Sequence, residues 1–333
     1  MMLTRTLGKS GIEVSALGMG CWAIGGPWTW AQPGEKSRPA GWGRTDDAQS
    51  IQAIHLALEM GVTLFDTAAN YGAGHSEIVL GRALRGRRQE VVIATKFGHI
   101  INEDRKVVYG DEKQILKNVR LDVENSLRRL QTDYIDIYQL HEGGFDPDPA
   151  LELREILEDL VRQGKIRWYG WSTDLVDRAQ VFAGGEHCAT IQFQLNAIFD
   201  NPEMRQFCAD FDLAGINKDP LNMGLLTGKF TAATTFTNDD VRSQTGYQDE
   251  HLQQWLPVVD VLREVLTTNG RTMAQGALAY IWALDPRMIP IPGFKTVQQV
   301  EDNAGAMAFG PLDESELEQV QDIIAEFKED LAK

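Results

Sequence analysis

The chain has 333 residues, 43% of them hydrophobic, which is enough length and apolar content for a large buried core. Its 48 acidic against 32 basic side chains leave a formal net charge of -16, which argues against a nucleic-acid surface or an acidic membrane as partner. Cys21, Cys188 and Cys208 form no Cys-x-x-Cys pair and suggest neither a disulfide framework nor a structural zinc, and the lack of an apolar leader or of any run of about 18 apolar residues predicts a soluble, cytoplasmic protein.

Leu3 to Leu7 and Ile12 to Val14 flank the turn-rich Gly8-Lys9-Ser10-Gly11, so the spacing predicts a hairpin over residues 1–14 that caps one end of the main fold. Val14 to Trp22 is an apolar run read as a fully buried strand. Ala23 to Arg44, rich in Gly, Pro and Trp and without a helical period, reads as a structured loop that can wall a pocket. A regular alternation then begins. Ile51, Ile54, Ala57 and Leu58 give a helix over Asp46 to Met60, stopped by Gly61, and strand Val62 to Phe65 comes after it. The pattern continues with a helix from Ser76, read as its cap, to Leu84, strand Val91 to Thr95, helix Glu112 to Leu130, strand Tyr134 to Leu140, helix Pro149 to Arg162 and strand Ile166 to Trp171. Next come helix Leu175 to Phe182, strand Thr190 to Leu195, helix Pro202 to Phe211, a weak strand near Leu213 to Asn217 and a long polar loop from Thr227 to Glu250. Helices His251 to Thr268 and Thr272 to Leu284, strand Met288 to Ile291, helix Val297 to Ala304 and a charged helix over 313–331 complete the chain.

Eight apolar strands alternating with helices indicate a parallel sheet covered on its outer face, and this number favours a closed α/β structure, the (β/α)8 or TIM barrel. With no Ser/Gly-rich linker, residues 1–333 are expected to form a single barrel domain with the additional C-terminal helix outside the eightfold count.

In such a barrel the C-terminal strand ends line the active site. Asp66 sits at one strand tip, with Tyr71 on the loop after it; the next strands run into Lys96 and His141. A phenol ordinarily titrates near 10, too high for ready proton exchange, and a buried ammonium beside its oxygen is expected to lower that value. Lys96 is the candidate ammonium, Asp66 the carboxylate that keeps it charged, and His141 a hydrogen-bonding or proton-sharing group for a substrate oxygen.

The segment Asp66-Thr67-Ala68-Ala69-Asn70-Tyr71-Gly72, the strand ending in Lys96, Tyr134-Ile135-Asp136-Ile137-Tyr138-Gln139-Leu140-His141, Gly164-Lys165-Ile166-Arg167-Trp168-Tyr169-Gly170-Trp171-Ser172, and the stretches Pro220 to Lys229 and Ile289 to Asn303 together resemble the aldo-keto reductase family over almost the whole chain. The resemblance implies a barrel that binds NADPH, with NADH as the lesser possibility, and reduces small aldehydes or ketones reversibly to alcohols. It assigns Tyr71 as proton donor, Lys96 to its tuning, Asp66 to anchoring Lys96, and His141 to orienting the carbonyl. It also implies that Ser172, Thr173 (where the family has Asn) and Gln192 meet the nicotinamide carboxamide, and that Lys218 replaces an aromatic ring stacked on nicotinamide. Gly20, Trp22, Asp219, Leu221, Gly224 and Lys229 fall in cofactor segments, while Gly293, Lys295, Thr296, Gln299, Asp302 and Asn303 fall at the adenosine end. Lys295, Thr296 and the helix start at Val297 suit a 2'-phosphate.

Trp22, Trp28 and Trp30 are candidates to shape the substrate pocket, Trp22 and Trp30 being the expected substrate-binding residues, against the alternative that tryptophans fill loop cores; Lys218 and Lys295 can also be read as solvated lysines, and Cys21 and Met19 as packing. Gly18-Met19-Gly20-Cys21-Trp22-Ala23 lacks the following helix that a dinucleotide fingerprint needs, and His141-Glu142 lacks the second histidine of a zinc hydrolase. Two further readings of the same resemblance are an NADP-binding regulatory subunit, as in the β-subunits of potassium channels, and a sugar or polyol dehydrogenase.

Overall fold

The computed structural model describes residues 3–32, 36–243 and 252–332. Strands β1 (Thr4–Thr6) and β2 (Glu13–Ser15) form the expected antiparallel hairpin. After them come β3 (Gly18–Gly20), β4 (Thr29–Ala31), β5 (Arg38–Pro39), α1 (Asp47–Glu59), β6 (Leu64–Asp66), α2 (His75–Ala83), β7 (Val92–Phe97), β8 (His99–Asn102), β9 (Val107–Gly110) and α3 (Ile115–Leu130). The second half contains β10 (Ile135–Leu140), α4 (Pro147–Arg162), β11 (Ile166–Ser172), α5 (Val176–Ala183), β12 (Cys188–Gln194), α6 (Pro202–Asp210), β13 (Ala214–Lys218), α7 (Leu252–Leu266), α8 (Met273–Leu284), β14 (Met288–Pro290), α9 (Val297–Gly305) and α10 (Glu314–Leu331).

Eight of these strands pair in parallel in the order β3, β6, β7, β10, β11, β12, β13, β14. The ring closes where Gly20 bridges Gly293 and the Gly20 amide donates to Pro292 O at 3.0 Å. This is a (β/α)8 barrel. The hairpin plugs its N-terminal end: Leu7 and Val14 are buried with Leu64, Val92, Ile137, Ala214 and Ile289, and the Lys9 amide donates to Asp212 O at 2.8 Å. Helix starts are built as the sequence suggests, with Asp46 capping α1 and capping boxes at Thr272, Thr296 and Asp313. No helix among the described residues is long and apolar enough to cross a membrane.

Three details differ from the sequence reading. The run Val14 to Trp22 is two strands, because Ser15 exchanges side-chain and backbone hydrogen bonds with Thr63 and turns the chain from hairpin to barrel wall. Within the expected loop Ala23 to Arg44, β4 and β5 join β8 and β9 in a second, four-stranded sheet ordered β5, β4, β9, β8. Ser76 does not cap α2; Gly74 does, at φ 95°, and the Ser76 hydroxyl is buried, donating to Cys21 O at 2.7 Å. Helix α10, outside the eightfold count as expected, packs on the barrel helices α7 and α8, with Trp255 and Phe327 rings 5.4 Å apart and Arg271 bonded to Glu316. The last part of the polar loop, 244–250, and the predicted helix start at His251 lie outside the described residues.

Candidate active site

The strand period of two decides which side chains enter the barrel. Along β6 Leu64 and Asp66 point inward, along β7 Val92, Ala94 and Lys96, and along β10 Ile137 and Gln139; each strand is apolar at its base and polar at its C-terminal tip. In register, Gln139 lies opposite Lys96 and Ser172 opposite Gln192. The polar layer is therefore a property of the pleat and the register together.

At its centre the Lys96 ammonium donates to Asp66 Oδ1 at 2.5 Å, to Thr67 O at 2.8 Å and to Tyr71 Oη at 3.4 Å. Lys96 and Asp66 are 0% and 1% exposed, so neither charge is shared with bulk water. The second carboxylate oxygen accepts from Gln192 Nε2 at 2.8 Å and Gln139 Nε2 at 3.2 Å, which satisfies an ion pair that burial would otherwise make costly. Tyr71 is held by the adjoining turn, where Gly72 at φ 63° lies against Gly25 so closely that a Cβ would run into the Gly25 carbonyl. His141 meets the Tyr71 ring edge-on, with centroids 5.8 Å apart, and Trp22 stacks on Tyr71, also at 5.8 Å.

Burial alone would drive Lys96 toward its neutral form, but Asp66 and then Tyr71 hold its pKa above that of a free lysine. For Tyr71 burial prevails over the neighbouring ammonium and raises the phenol pKa, where the sequence reading expected it lowered. The reason is desolvation of the phenolate: Lys96 pulls down, but Asp66 largely occupies its charge and itself pushes up. His141 is pushed well below the usual histidine value by burial first and then by Lys96, His99 and Lys218, so its ring is neutral at pH 7.

Asp66, Tyr71 and His141 open onto a cleft of about 720 Å³. Of the expected cofactor residues, Gly20, Trp22, Gln192, Lys218, Asp219, Leu221, Gly224, Lys229, Gly293, Lys295, Gln299, Asp302 and Asn303 line it. Ser172 stands behind Gln192, its hydroxyl donating to Gln192 Oε1 at 3.4 Å. Thr173 is off the cleft wall, bonded to Gly143 O at 2.7 Å, and Thr296 caps α9. Trp30 is also off the wall and packs against His99 at 5.0 Å, whereas Trp28 and Trp42 line it. Lys218 pairs with Asp174 at 2.8 Å, and Lys295 bonds the Trp42 carbonyl. Asp219, at φ 56°, accepts from the Met223 amide at 2.5 Å and from Gln194 at 3.1 Å, and burial pushes its carboxyl up to about 6.

Sequence reasoning missed Gln139 and Arg242. Gln139 was readable, since it stands one strand period beyond Ile137. Arg242 was not; in the polar loop it acquires meaning only from its contacts, bonded to Asp240 through two nitrogens at 2.9 and 2.7 Å and lying 4.7 Å from the Trp42 ring centre. Among the described residues there is no metal-ligand cluster.

A model of the Aldo/keto reductase family matches residues 16–325. The chain belongs to the aldo/keto reductase family. "Aldo-keto reductase YhdN" of Bacillus subtilis is 35% identical over 291 residues, covering 84% of this chain and 80% of that protein. Among solved structures, the "glycerol dehydrogenase AKR11B4" of Gluconobacter oxydans superposes with a TM-score of 0.78 at 32% identity, covering 95% of this chain and 93% of that one. An aldo-keto reductase of Klebsiella pneumoniae in complex with NADPH superposes with a TM-score of 0.68 at 26% identity, covering 97% and 96%. Membership makes this chain an oxidoreductase, and the (β/α)8 barrel is the fold it shares with these structures.

Proposed function

We propose that this aldo/keto reductase reduces small aldehydes and ketones with NADPH, reversibly toward alcohols, and that Tyr71 is its proton donor. The observation that carries the reading is the buried line from Asp66 through the Lys96 ammonium to Tyr71 Oη, with the last gap 3.4 Å.

The cleft suits a dinucleotide. It has the volume of a cofactor site, and in a chain of net charge -16 its wall carries Lys218, Lys229, Arg242 and Lys295. Each acid in the wall is engaged: Asp66 by Lys96, Asp219 by Met223 and Gln194, and Asp302 by the Thr272 hydroxyl at 2.6 Å. Gln192, with Ser172 behind it, would hold the carboxamide end, and Lys295 with the start of α9 the phosphate of the adenosine end. Gln299 is taken up by the capping box, which leaves Lys295 as the side chain that favours NADPH over NADH. The Klebsiella pneumoniae relative was solved with NADPH, which supports NADPH as the cofactor.

When bound, a reduced nicotinamide supplies hydride to a carbonyl carbon. The chain's own part is to hold the carbonyl oxygen and protonate it. His141, neutral, donates a hydrogen bond to that oxygen. Tyr71, kept in its acid form at pH 7 by burial, gives its proton as the oxygen becomes an alkoxide, and Lys96 stabilises the phenolate left behind. Reprotonation restores the resting phenol.

A small polyol is a second reading of the substrate, favoured by the likeness to a glycerol dehydrogenase. The test is spectrophotometric: NADPH consumption with a panel of small aldehydes, including glyceraldehyde, and NADP+ reduction with glycerol. Carbonyl-dependent consumption of NADPH is expected. Tight cofactor binding without turnover on any of these would replace the enzyme by a cofactor-sensing subunit.

A further inference from the structure

Among the described residues, none hydrogen-bonds the buried Nδ1 of His141. A ring whose role is to point a donor at a substrate oxygen is usually fixed through its other nitrogen. Here the fixing is done by rings. His99 meets His141 at 5.2 Å and 70°, and Trp30 meets His99 at 5.0 Å and 82°, so Trp30, His99, His141 and Tyr71 form one file of edge-to-face contacts. The second sheet carries this file. Gly98, at φ 116°, turns the chain from β7 into β8 directly beside the His141 backbone, and the His141 amide donates to Phe97 O at 2.9 Å. His99 then pairs with Gly110 on β9, whose Val108 pairs with Trp30 on β4.

We propose that His99 is a positioning residue for His141, fixing the plane of its ring over Tyr71 and keeping water from it; this rests on the role given to His141 under the proposed function. His99 is itself uncharged, its pKa lowered to about 4 by burial, and its nearest acid is Glu142, with Nε2 and Oε2 3.9 Å apart. The ionisable groups acting on His141 are Lys96, His99 and Lys218, with Tyr71 in ring contact. Because burial is the largest of the influences on His141, opening the space that His99 fills raises the basicity of His141.

The experiment records the histidine ring signals of the full chain, labelled with carbon-13 histidine, the His141 signal being assigned by its loss in His141→Gln. In wild type that signal is flat over the range, about pH 5 to 8, in which an ordinary histidine titrates. In His99→Ala it titrates within that range, kcat for carbonyl reduction falls about tenfold and NADPH binding by fluorescence stays within about twofold. His99→Phe keeps a ring, so the signal is flat again and kcat returns to within about twofold of wild type. His99→Gln removes the ring while keeping polarity, and behaves as His99→Ala does even if that variant folds poorly. A His141 signal that titrates normally in wild type, or stays flat in both ring-less variants, overturns the assignment. Full turnover by Tyr71→Phe would instead remove the reductase mechanism and leave the ring signal to decide the role of His99.

Discussion

The two ends of the barrel are made by the same strands yet treat charge in opposite ways. At the N-terminal end Leu7 and Val14 of the hairpin close on Leu64, Val92 and Ile137, an apolar layer. Further along the same strands, Asp66, Lys96 and Gln139 form an ionised, hydrogen-bonded layer with no exposure to speak of. A buried ion pair is a weak source of stability, since desolvation offsets most of the attraction. The contrast teaches that the lower layer holds the barrel together and the upper one is kept for what it does.

Substitutions at the two layers should therefore part activity from stability. The largest effect is expected for Lys96→Met, which leaves Asp66 charged and unpaired: kcat for carbonyl reduction falls about 10³-fold and unfolding free energy drops by about 3 kcal/mol. Replacing both partners, Asp66→Leu with Lys96→Met, restores most of the stability and none of the turnover, as read by denaturant unfolding beside NADPH consumption. Stability that stayed lost in the double variant would mean that the pair holds the barrel after all. In the lower layer stability is lost without turnover: Leu7→Ala loses about 3 kcal/mol of unfolding free energy through the cavity it leaves, while kcat of the folded protein stays within about twofold. A tenfold loss of kcat there would tie the plug to the site and break the comparison.

The barrel and the four groups around Tyr71 were legible because each strand writes its layer in sequence, as Val92, Ala94 and Lys96 do, and because Asp66 and Tyr71 share one strand tip. The second sheet was not legible. Its strands are two to four residues long, too short for a period to register, and their partners lie far apart, as Trp30 does from Val108. The Val14 to Trp22 run misled for the converse reason: apolar but for Ser15 and two glycines, it carries no period to show that the chain turns at Ser15. The direction of the Tyr71 shift also lay beyond the sequence, which supplies Lys96 as a neighbour but not the depth at which the phenol is buried.

Conversion of Tyr71 to Phe tests the central claim most directly, because it removes one oxygen and leaves the ring with its contacts to Trp22 and His141. Measured side by side, NADPH binding should stay within about twofold of wild type while kcat for carbonyl reduction falls about 10³-fold or more. Turnover within a few-fold of wild type would contradict the assignment of the proton to Tyr71.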